Sequence, residues 1–231
     1  MVRHAFGGLG AAVLALLLVL RISDGSMSFL VQSWYQPILI ASVVVLMILA
    51  VFVSAQALRS GGHWNFHARP AGLLTALLVA VPVVMGFAMK PKPLGSQSLG
   101  SGTSVSGAQQ FSQTVSTAQP TRRNIYQWSY EFQTGDPKAL VGQPVDVVGF
   151  VYHGKTDRAD QFEVARFVVA CCVADATGHT LPVQWPAAAT LVQDSWVHVV
   201  GRVATAPGGA VEVQATSVAP VEAPSNPYIY P

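Results

Sequence analysis

The sequence predicts a chain in two parts: about three transmembrane helices at the N-terminus, followed by a small five-stranded β-domain. Of the 231 residues, 51% are apolar and only 10% are charged, and the mean hydropathy is +0.43. A purely soluble protein rarely has this composition. Long uncharged runs fill the chain before residue 90, whereas short strand-type runs follow residue 124. We therefore expect membrane α-helices in residues 1–90 and an all-β domain in residues 124–231.

Three apolar runs have the length of membrane spans. The first covers about residues 5–22, and an uncleaved helix is favoured over a signal peptide because no small-residue cleavage site follows it. The second covers about residues 37–58, carries no charge and opens with proline. The third covers about residues 70–89 and contains Pro82, which we expect to kink the helix. Together the runs predict a multi-pass protein of the cell membrane.

Basic residues in short loops predict the orientation of these helices. Arg3, Arg59 and Arg69 all lie on one side of the three predicted spans. Because Lys and Arg concentrate in cytoplasmic loops, this side is expected to be cytoplasmic. Lys90 and Lys92 lie on the opposite side, so the charge bias is narrow. The β-domain is then predicted to be extracytoplasmic.

The chain after the third span is predicted to be a flexible linker and then a barrel. Residues 91–123 are rich in Ser, Gly, Gln and Thr and poor in large apolar side chains. Asp136 is expected to open one helical turn that Gly142 ends. Gly149 and Gly201 could let two strands bend, as barrel closure requires. The predicted strands are Pro144–His153, Phe162–Ala174, Thr180–Trp185, Ser195–Ala204 and Ala210–Val218. An OB-like five-stranded barrel is the first choice, and an open sandwich is the alternative.

Charge and motifs argue against several function classes. The 13 basic and 11 acidic side chains nearly balance, so no basic stripe is expected and nucleic acid is not a predicted partner. The sequence contains no GxSxG, Walker loop, dinucleotide fingerprint or HExxH motif, so we do not expect an enzyme. The predicted spans contain no carboxylate, and three such helices alone would make a poor transport pathway.

Cys171 and Cys172 are the only cysteines and are adjacent, which rules out an ordinary loop-closing disulfide. The run FVVACCVA is apolar on both faces of a predicted strand, on which adjacent side chains point to opposite faces. We therefore favour inert buried thiols without a cofactor. One alternative is a zinc or copper ion, or a redox pair, with Asp175, His153 or His179 nearby. The other is a strained vicinal disulfide or an intermolecular bond.

Two further polar side chains are expected to have structural roles. Asp175 precedes Gly178, so an Asx-type turn is favoured over metal binding. Arg166 lies inside an apolar strand, where an unpaired guanidinium costs free energy. We therefore expect Arg166 to reach solvent or to form an ion pair with an acid such as Asp146, Glu163 or Asp175.

Three stretches of the sequence carry a family resemblance when taken together. They are PKPLGS at residues 91–96, VGFVYHGKTDRADQFEVARFVVACCVADATG at residues 148–178, and NPYIYP at residues 226–231. The combination resembles an uncharacterised bacterial family described as subunits of a two-component membrane permease complex. The positions that match the pattern of this family are Gly149, Phe150, Val151, Arg166, Phe167, Cys171, Cys172, Ala174 and Asp175.

The resemblance implies an accessory subunit beside a larger membrane permease subunit. On this hypothesis the helices lie in the lipid bilayer against the permease, and the β-domain recognises substrate or gates its exit. A second hypothesis is an extracytoplasmic metal-binding or thiol-redox membrane protein. A third is an OB-like module that binds peptide or glycan without any transporter.

Overall fold

The computed structural model describes residues 16–17, 19–59, 81, 84–85, 92–100, 122–154 and 158–230. The chain divides into two compact units, Met1–Lys92 and Pro93–Pro231.

The main element of the first unit is helix α1, Gln36–Arg59, which follows two short 3₁₀ turns, Ser26–Phe29 and Ser33–Tyr35. The helix contains no glycine, and its proline, Pro37, lies in the first turn, where no intrahelical hydrogen bond is lost. Within the described residues, no helix combines the length and the apolar character needed to cross a membrane.

Two of the predicted spans lie mostly outside the part of the chain that the structure describes. From the run at 5–22, residues 16–17 and 19–22 are described and are helical, and from the run at 70–89, residues 81 and 84–85 are. The run at 37–58 corresponds to α1. The multi-pass membrane arrangement therefore stays a prediction.

The second unit is built on a closed barrel of five strands. Its strands are β1 (Pro144–Tyr152), β2 (Gln161–Val168), β3 (Thr177–Gln184), β4 (Trp196–Thr205) and β5 (Val211–Pro220). Their spatial order is β1-β4-β5-β3-β2, and β2 pairs back with β1 to close the ring. Every pair in the ring is antiparallel except β3 with β5, which is parallel. A short sixth strand, β6 (Tyr228–Ile229), runs parallel to β2. The predicted five-stranded barrel is confirmed.

The alternation of apolar residues explains how the strands line the barrel. On β4, Val197, Val199 and Val203 are buried in the core, while the side chains between them face outward. The register of β4 against β5 shifts between Val200 and Gly201, where a Cβ would meet the opposite backbone. This irregularity is the bend that barrel closure requires.

Two short helices precede the barrel strands. Helix α3, Ile125–Thr134, opens with a capping box in which Asn124 accepts from the Gln127 backbone and the Gln127 side chain accepts from the Asn124 backbone. This helix is absent from the elements that the sequence predicted. Its Trp128 is fully buried, and the helix packs against β1, β2 and β3. Helix α4, Pro137–Leu140, is the predicted single turn, with Asp136 as its N-cap.

The stretch Pro93–Gly100, here called the docking segment, packs onto the barrel and contains the short helix α2, Ser96–Gly100. The backbone N–H of Leu94 donates to the hydroxyl of Tyr228 over 3.0 Å. The backbone N–H and hydroxyl of Ser96 donate to the Asp194 carboxylate over 2.7 and 2.8 Å. The prediction of a flexible linker over residues 91–123 is therefore wrong for this segment, while residues 101–121 lie outside the described residues.

Partial burial of Leu99 explains why the docking segment is ordered. A Cβ at Gly178 would clash with the Leu99 side chain, so glycine on β3 leaves the space that Leu99 fills. The third strand was predicted to begin at Thr180, but β3 begins at Thr177 and includes Gly178.

Candidate functional site

An apolar cluster outside the barrel core forms the floor of the candidate site. This outer cluster consists of Phe150, Ala165, Phe167, Val169, Ala176 and Tyr228. The rings of Phe150 and Phe167 are stacked, with centroids 5.9 Å apart and planes at 17°. Leu94 and Leu99 of the docking segment and Tyr230 near the C-terminus pack against it. The three stretches that carry the family resemblance thus meet on one face of the barrel.

The loop after β2 departs from the predicted strand. β2 was expected to run to Ala174, but it ends at Val168 and the chain forms a 3₁₀ turn at Val173–Asp175. The Asp175 carboxylate causes this change, because it accepts hydrogen bonds from three successive backbone N–H groups. The donors are Ala170 at 2.8 Å, Cys171 at 2.8 Å and Cys172 at 3.2 Å. A side-chain acceptor thus replaces a neighbouring strand as the partner of this backbone.

The turn at Asp175 brings the two cysteine side chains together. The Sγ atoms of Cys171 and Cys172 lie 3.7 Å apart, which contradicts our expectation that a regular strand would direct them to opposite faces. Both cysteines are free thiols and are partly exposed rather than buried. One ligand atom from each of Cys171, Cys172 and Asp175 lies within 4.8 Å of the others. We call these three residues the thiol–carboxylate cluster.

Hydrogen bonding within the cluster sets its protonation. The bond from the Cys171 thiol to Asp175, the neighbouring Cys172 and partial burial raise the pKa of Cys171 to about 12. Burial raises the pKa of Asp175, but hydrogen bonds from the Cys171 side chain and the three backbone N–H groups outweigh it, so the pKa is lowered overall. At neutral pH the cluster therefore combines an ionised carboxylate with a protonated, weakly nucleophilic Cys171.

Both histidines considered as ligands bond elsewhere. The Nδ1 atom of His179 lies 2.8 Å from Ser129 Oγ, and its Nε2 atom lies 3.2 Å from Thr177 Oγ1. Burial lowers the pKa of His179 to about 4. The Nε2 atom of His153 lies 2.8 Å from the carbonyl oxygen of Leu191. Among the described residues, the thiol–carboxylate cluster is the one group of three potential ligands, and it includes neither histidine.

Comparison with known proteins assigns the domain to a family. The sequence profile described as "DUF1980 C-terminal domain" matches residues 110–231, which is more than half of the chain. The chain belongs to this family. A relative, the UPF0703 protein YcgQ of Bacillus subtilis (strain 168), is 26% identical over 99 residues. That alignment covers 41% of this chain but only 35% of the relative, so the chain spans about a third of the relative's length.

The DUF1980 match contains the barrel, the outer cluster residues and the thiol–carboxylate cluster, while the docking segment precedes it. The docking segment is nevertheless hydrogen-bonded to the DUF1980 domain through Leu94 and Ser96. The folded unit is therefore longer than the family match.

Arg166 of the DUF1980 domain uses backbone carbonyls instead of an acid. Its Nε donates to the carbonyl oxygen of Pro227 over 3.1 Å, and its Nη2 donates to that of Asn226 over 2.9 Å. The guanidinium carbon lies 5.5 Å from the centre of the Trp196 ring. Burial lowers the pKa of Arg166. In the described part of the chain Arg166 forms no salt bridge, so the expected ion pair is wrong.

Arg166 also lines a surface concavity of about 260 Å³ at the start of helix α3. Arg122, Arg123 and Asp146 line the same concavity. Asp146, one of the acids proposed for Arg166, instead lies with its Oδ1 2.7 Å from Nε2 of His198. The concavity therefore carries charges of both signs.

Proposed function

We propose that this chain is a non-catalytic accessory subunit of a two-component membrane permease complex. The N-terminal helices would lie in the cell membrane against a larger permease subunit, with the barrel on the extracytoplasmic side. There the barrel would recognise the substrate or gate its exit. The observation that carries the proposal is the apolar surface of α1.

Helix α1 is apolar along nearly its whole length, and many of its large apolar side chains are exposed, although Val43 is buried. The exposed fractions of Ile38, Ile48 and Val51 are 64%, 62% and 65%. A helix that is apolar on every side needs apolar surroundings. Burying each such side chain contributes about 1.5–3 kcal/mol relative to water. Helices of a partner subunit and lipid would supply these surroundings, and the basic residues Arg3, Arg59 and Arg69 would set the orientation.

The barrel unit supports a recognition role because its strand order is that of an OB-like Greek-key barrel. Such barrels bind ligands on the face of the second and third strands, together with the loops between the first and second strands and between the fourth and fifth. In this chain, the thiol–carboxylate cluster lies on the connection between β2 and β3. The docking segment and β6 pack beside the same strands.

The test is purification of the tagged full chain from its own host in mild detergent, followed by identification of copurifying proteins and elements. We expect a larger multi-span protein in amounts comparable with the chain. A variant carrying Ile48→Asp should lose that protein, because the charge would face the proposed apolar surroundings. The His153→Ala variant, changed on the barrel, is the matched control and should keep it. If the wild-type chain yields no membrane protein above an untagged control, the accessory role is wrong.

The thiol–carboxylate cluster favours a second candidate function, a metal-binding or thiol-redox protein of the membrane. Stoichiometric metal on the purified chain would support this candidate. The third hypothesis, an OB-like module for peptide or glycan, would gain support if such a ligand bound in the absence of both permease and metal.

A further inference from the structure

Two sulfurs and one carboxylate converge at the end of β2 without help from a distant part of the chain. Cys171, Cys172 and Asp175 lie within five consecutive residues, and the 3₁₀ turn holds them in one loop. All three side chains are partly exposed, so an ion from solvent can reach them. The loop is also fixed where it leaves β2, because the Val169 N–H donates to the Ile229 carbonyl oxygen over 3.0 Å.

The distance between the sulfurs distinguishes three uses of the pair. A disulfide would require a separation of about 2.05 Å. Two thiolates on opposite sides of an ion, each bonded at about 2.3 Å, would be about 4.6 Å apart. Two thiolates on one tetrahedral ion with the same bond length would be about 3.8 Å apart. The observed Sγ–Sγ distance is 3.7 Å, at which the Cys171 thiol donates to Cys172 in the ion-free site and which also matches the tetrahedral arrangement.

Asp175 retains the capacity to act as a third ligand. An ionised carboxylate has about four lone-pair sites for hydrogen bonds or metal. Oδ2 of Asp175 accepts from the N–H groups of Cys171 and Cys172, and Oδ1 accepts from that of Ala170. These three backbone bonds leave one lone-pair site on Oδ1, and the carboxylate also accepts from the Cys171 thiol, so a site becomes available to an ion when that thiol loses its proton. The backbone bonds also fix the orientation of the carboxylate, as outer-shell hydrogen bonds do in metal sites.

We propose that Cys171, Cys172 and Asp175 bind one thiophilic ion of the Zn²⁺ type as a three-ligand tetrahedral site. This site specifies the ion for the second candidate function, a metal-binding membrane protein, and it rests on that function. Thiolates select against Mg²⁺ and Ca²⁺, which prefer oxygen ligands, and a carboxylate ligand suits Zn²⁺ better than a purely sulfur-seeking ion. The fourth position stays open for water or for a ligand from a partner, as in zinc sites that exchange their ligands.

Binding of the ion converts each thiol to a thiolate with the loss of one proton. At each sulfur the S–H bond breaks, the proton leaves to solvent, and the electron pair that remains on sulfur forms the bond to the ion. No oxidant or reductant takes part. The Cys171 thiol gives up its hydrogen bond to Asp175, which is then free to use Oδ1 as a ligand.

The test uses the reduced full chain in mild detergent and Co²⁺ as a spectroscopic probe for Zn²⁺. We expect one Co²⁺ per chain, a sulfur-to-cobalt charge-transfer band in the near ultraviolet, and loss of that band when Zn²⁺ is added. Zn²⁺ should also slow alkylation of both thiols in the wild-type chain, a measurement that requires no variant. Cys171→Ser and Cys172→Ser should each weaken Zn²⁺ binding by more than the roughly 10–100-fold that outer-shell changes cause.

His153→Ala is the matched control and should bind Zn²⁺ as the wild type does. Absence of the charge-transfer band, alkylation at the same rate with and without Zn²⁺, or unchanged affinity in both serine variants would each overturn the proposal. Copurification of a permease with a chain that binds no Zn²⁺ would reject the metal site alone. Zn²⁺ binding by a chain that copurifies with no membrane protein would reject the accessory role alone.

Discussion

Acidification should destabilise the barrel unit through His179. Its imidazole is half-buried and is held between Ser129 and Thr177, and burial lowers its pKa from 6.5 to about 4. In the unfolded chain the same group regains an ordinary pKa. Between these two values the unfolded state binds more protons than the folded state, so the free energy of unfolding falls as the pH falls.

The size of this loss in the free energy of unfolding follows from the two pKa values of His179. One pKa unit corresponds to about 1.4 kcal/mol. Because folding lowers the pKa of His179 from 6.5 to about 4, acidification across this pH range lowers the free energy of unfolding by about 3 kcal/mol. The stabilisation is complete above pH 6.5, is lost progressively as the pH falls to about 4, and changes no further below that. This loss is a large fraction of the roughly 5–15 kcal/mol by which domains are stable.

The assay is urea unfolding of the fragment 93–231 at a series of pH values, followed by tryptophan fluorescence. Trp128 is fully buried next to Ser129, which bonds His179, and its emission together with that of Trp185 and Trp196 reports the unfolding of the unit. His179→Gln removes the titrating group but keeps a side chain that can bond to Ser129. The wild type should lose about 3 kcal/mol more than this variant between pH 7 and pH 4.

Parallel loss of stability in the wild type and the His179→Gln variant would show that His179 is not the source of the pH dependence. The same conclusion would follow if the imidazole resonances of His179 titrated near the value of an exposed histidine. Carboxylates such as Asp175 also titrate at low pH, but their contribution is common to both proteins and cancels in the comparison.

Three further outcomes are expected. The fragment 93–231 should give the circular dichroism of a folded β-rich domain and unfold at higher urea than 124–231, because the shorter fragment uncovers the outer cluster. Gly178→Val should lower the free energy of unfolding by about 1–3 kcal/mol through overpacking against Leu99, and much of this loss should disappear when Leu99→Ala is combined with it. A reporter that fluoresces only in the cytoplasm, fused after Pro231, should stay dark, whereas bright fluorescence would reverse the predicted topology.

The strands of the barrel could be predicted because their signal is local. Alternating valines on β4, such as Val197 and Val199, face the core and produce a period of two in the sequence. The end of β2 could not be predicted in the same way. The run FVVACCVA is apolar throughout, so periodicity gives no boundary, and the boundary depends on the Asp175 carboxylate competing for backbone N–H groups. The geometry of the cysteines follows from that competition.

The other differences between the predicted and the observed structure depend on contacts between distant parts of the sequence. Leu94 and Leu99 lie in a stretch whose average composition is polar, and they are ordered only because the barrel offers an apolar surface and a glycine at position 178. Arg166 likewise bonds to carbonyl groups about 60 residues away. Helix α3 was missed although its Asn124-x-x-Gln127 capping box is a readable start signal.

The docking segment sets the order in which this unit can be completed during synthesis. The residues joined by the Leu94–Tyr228 hydrogen bond are 134 positions apart, and those joined by the Ser96–Asp194 bond are 98 apart. At typical elongation rates, on the order of ten seconds separates the synthesis of Leu94 from that of Tyr228. Once Phe150 and Phe167 have been made and until Tyr228 covers them, they remain in contact with solvent or with whatever binds the nascent chain. The outer cluster is therefore the surface at which a chaperone would hold the unfinished domain, and synthesis of Tyr228, rather than strand pairing, would time its closure.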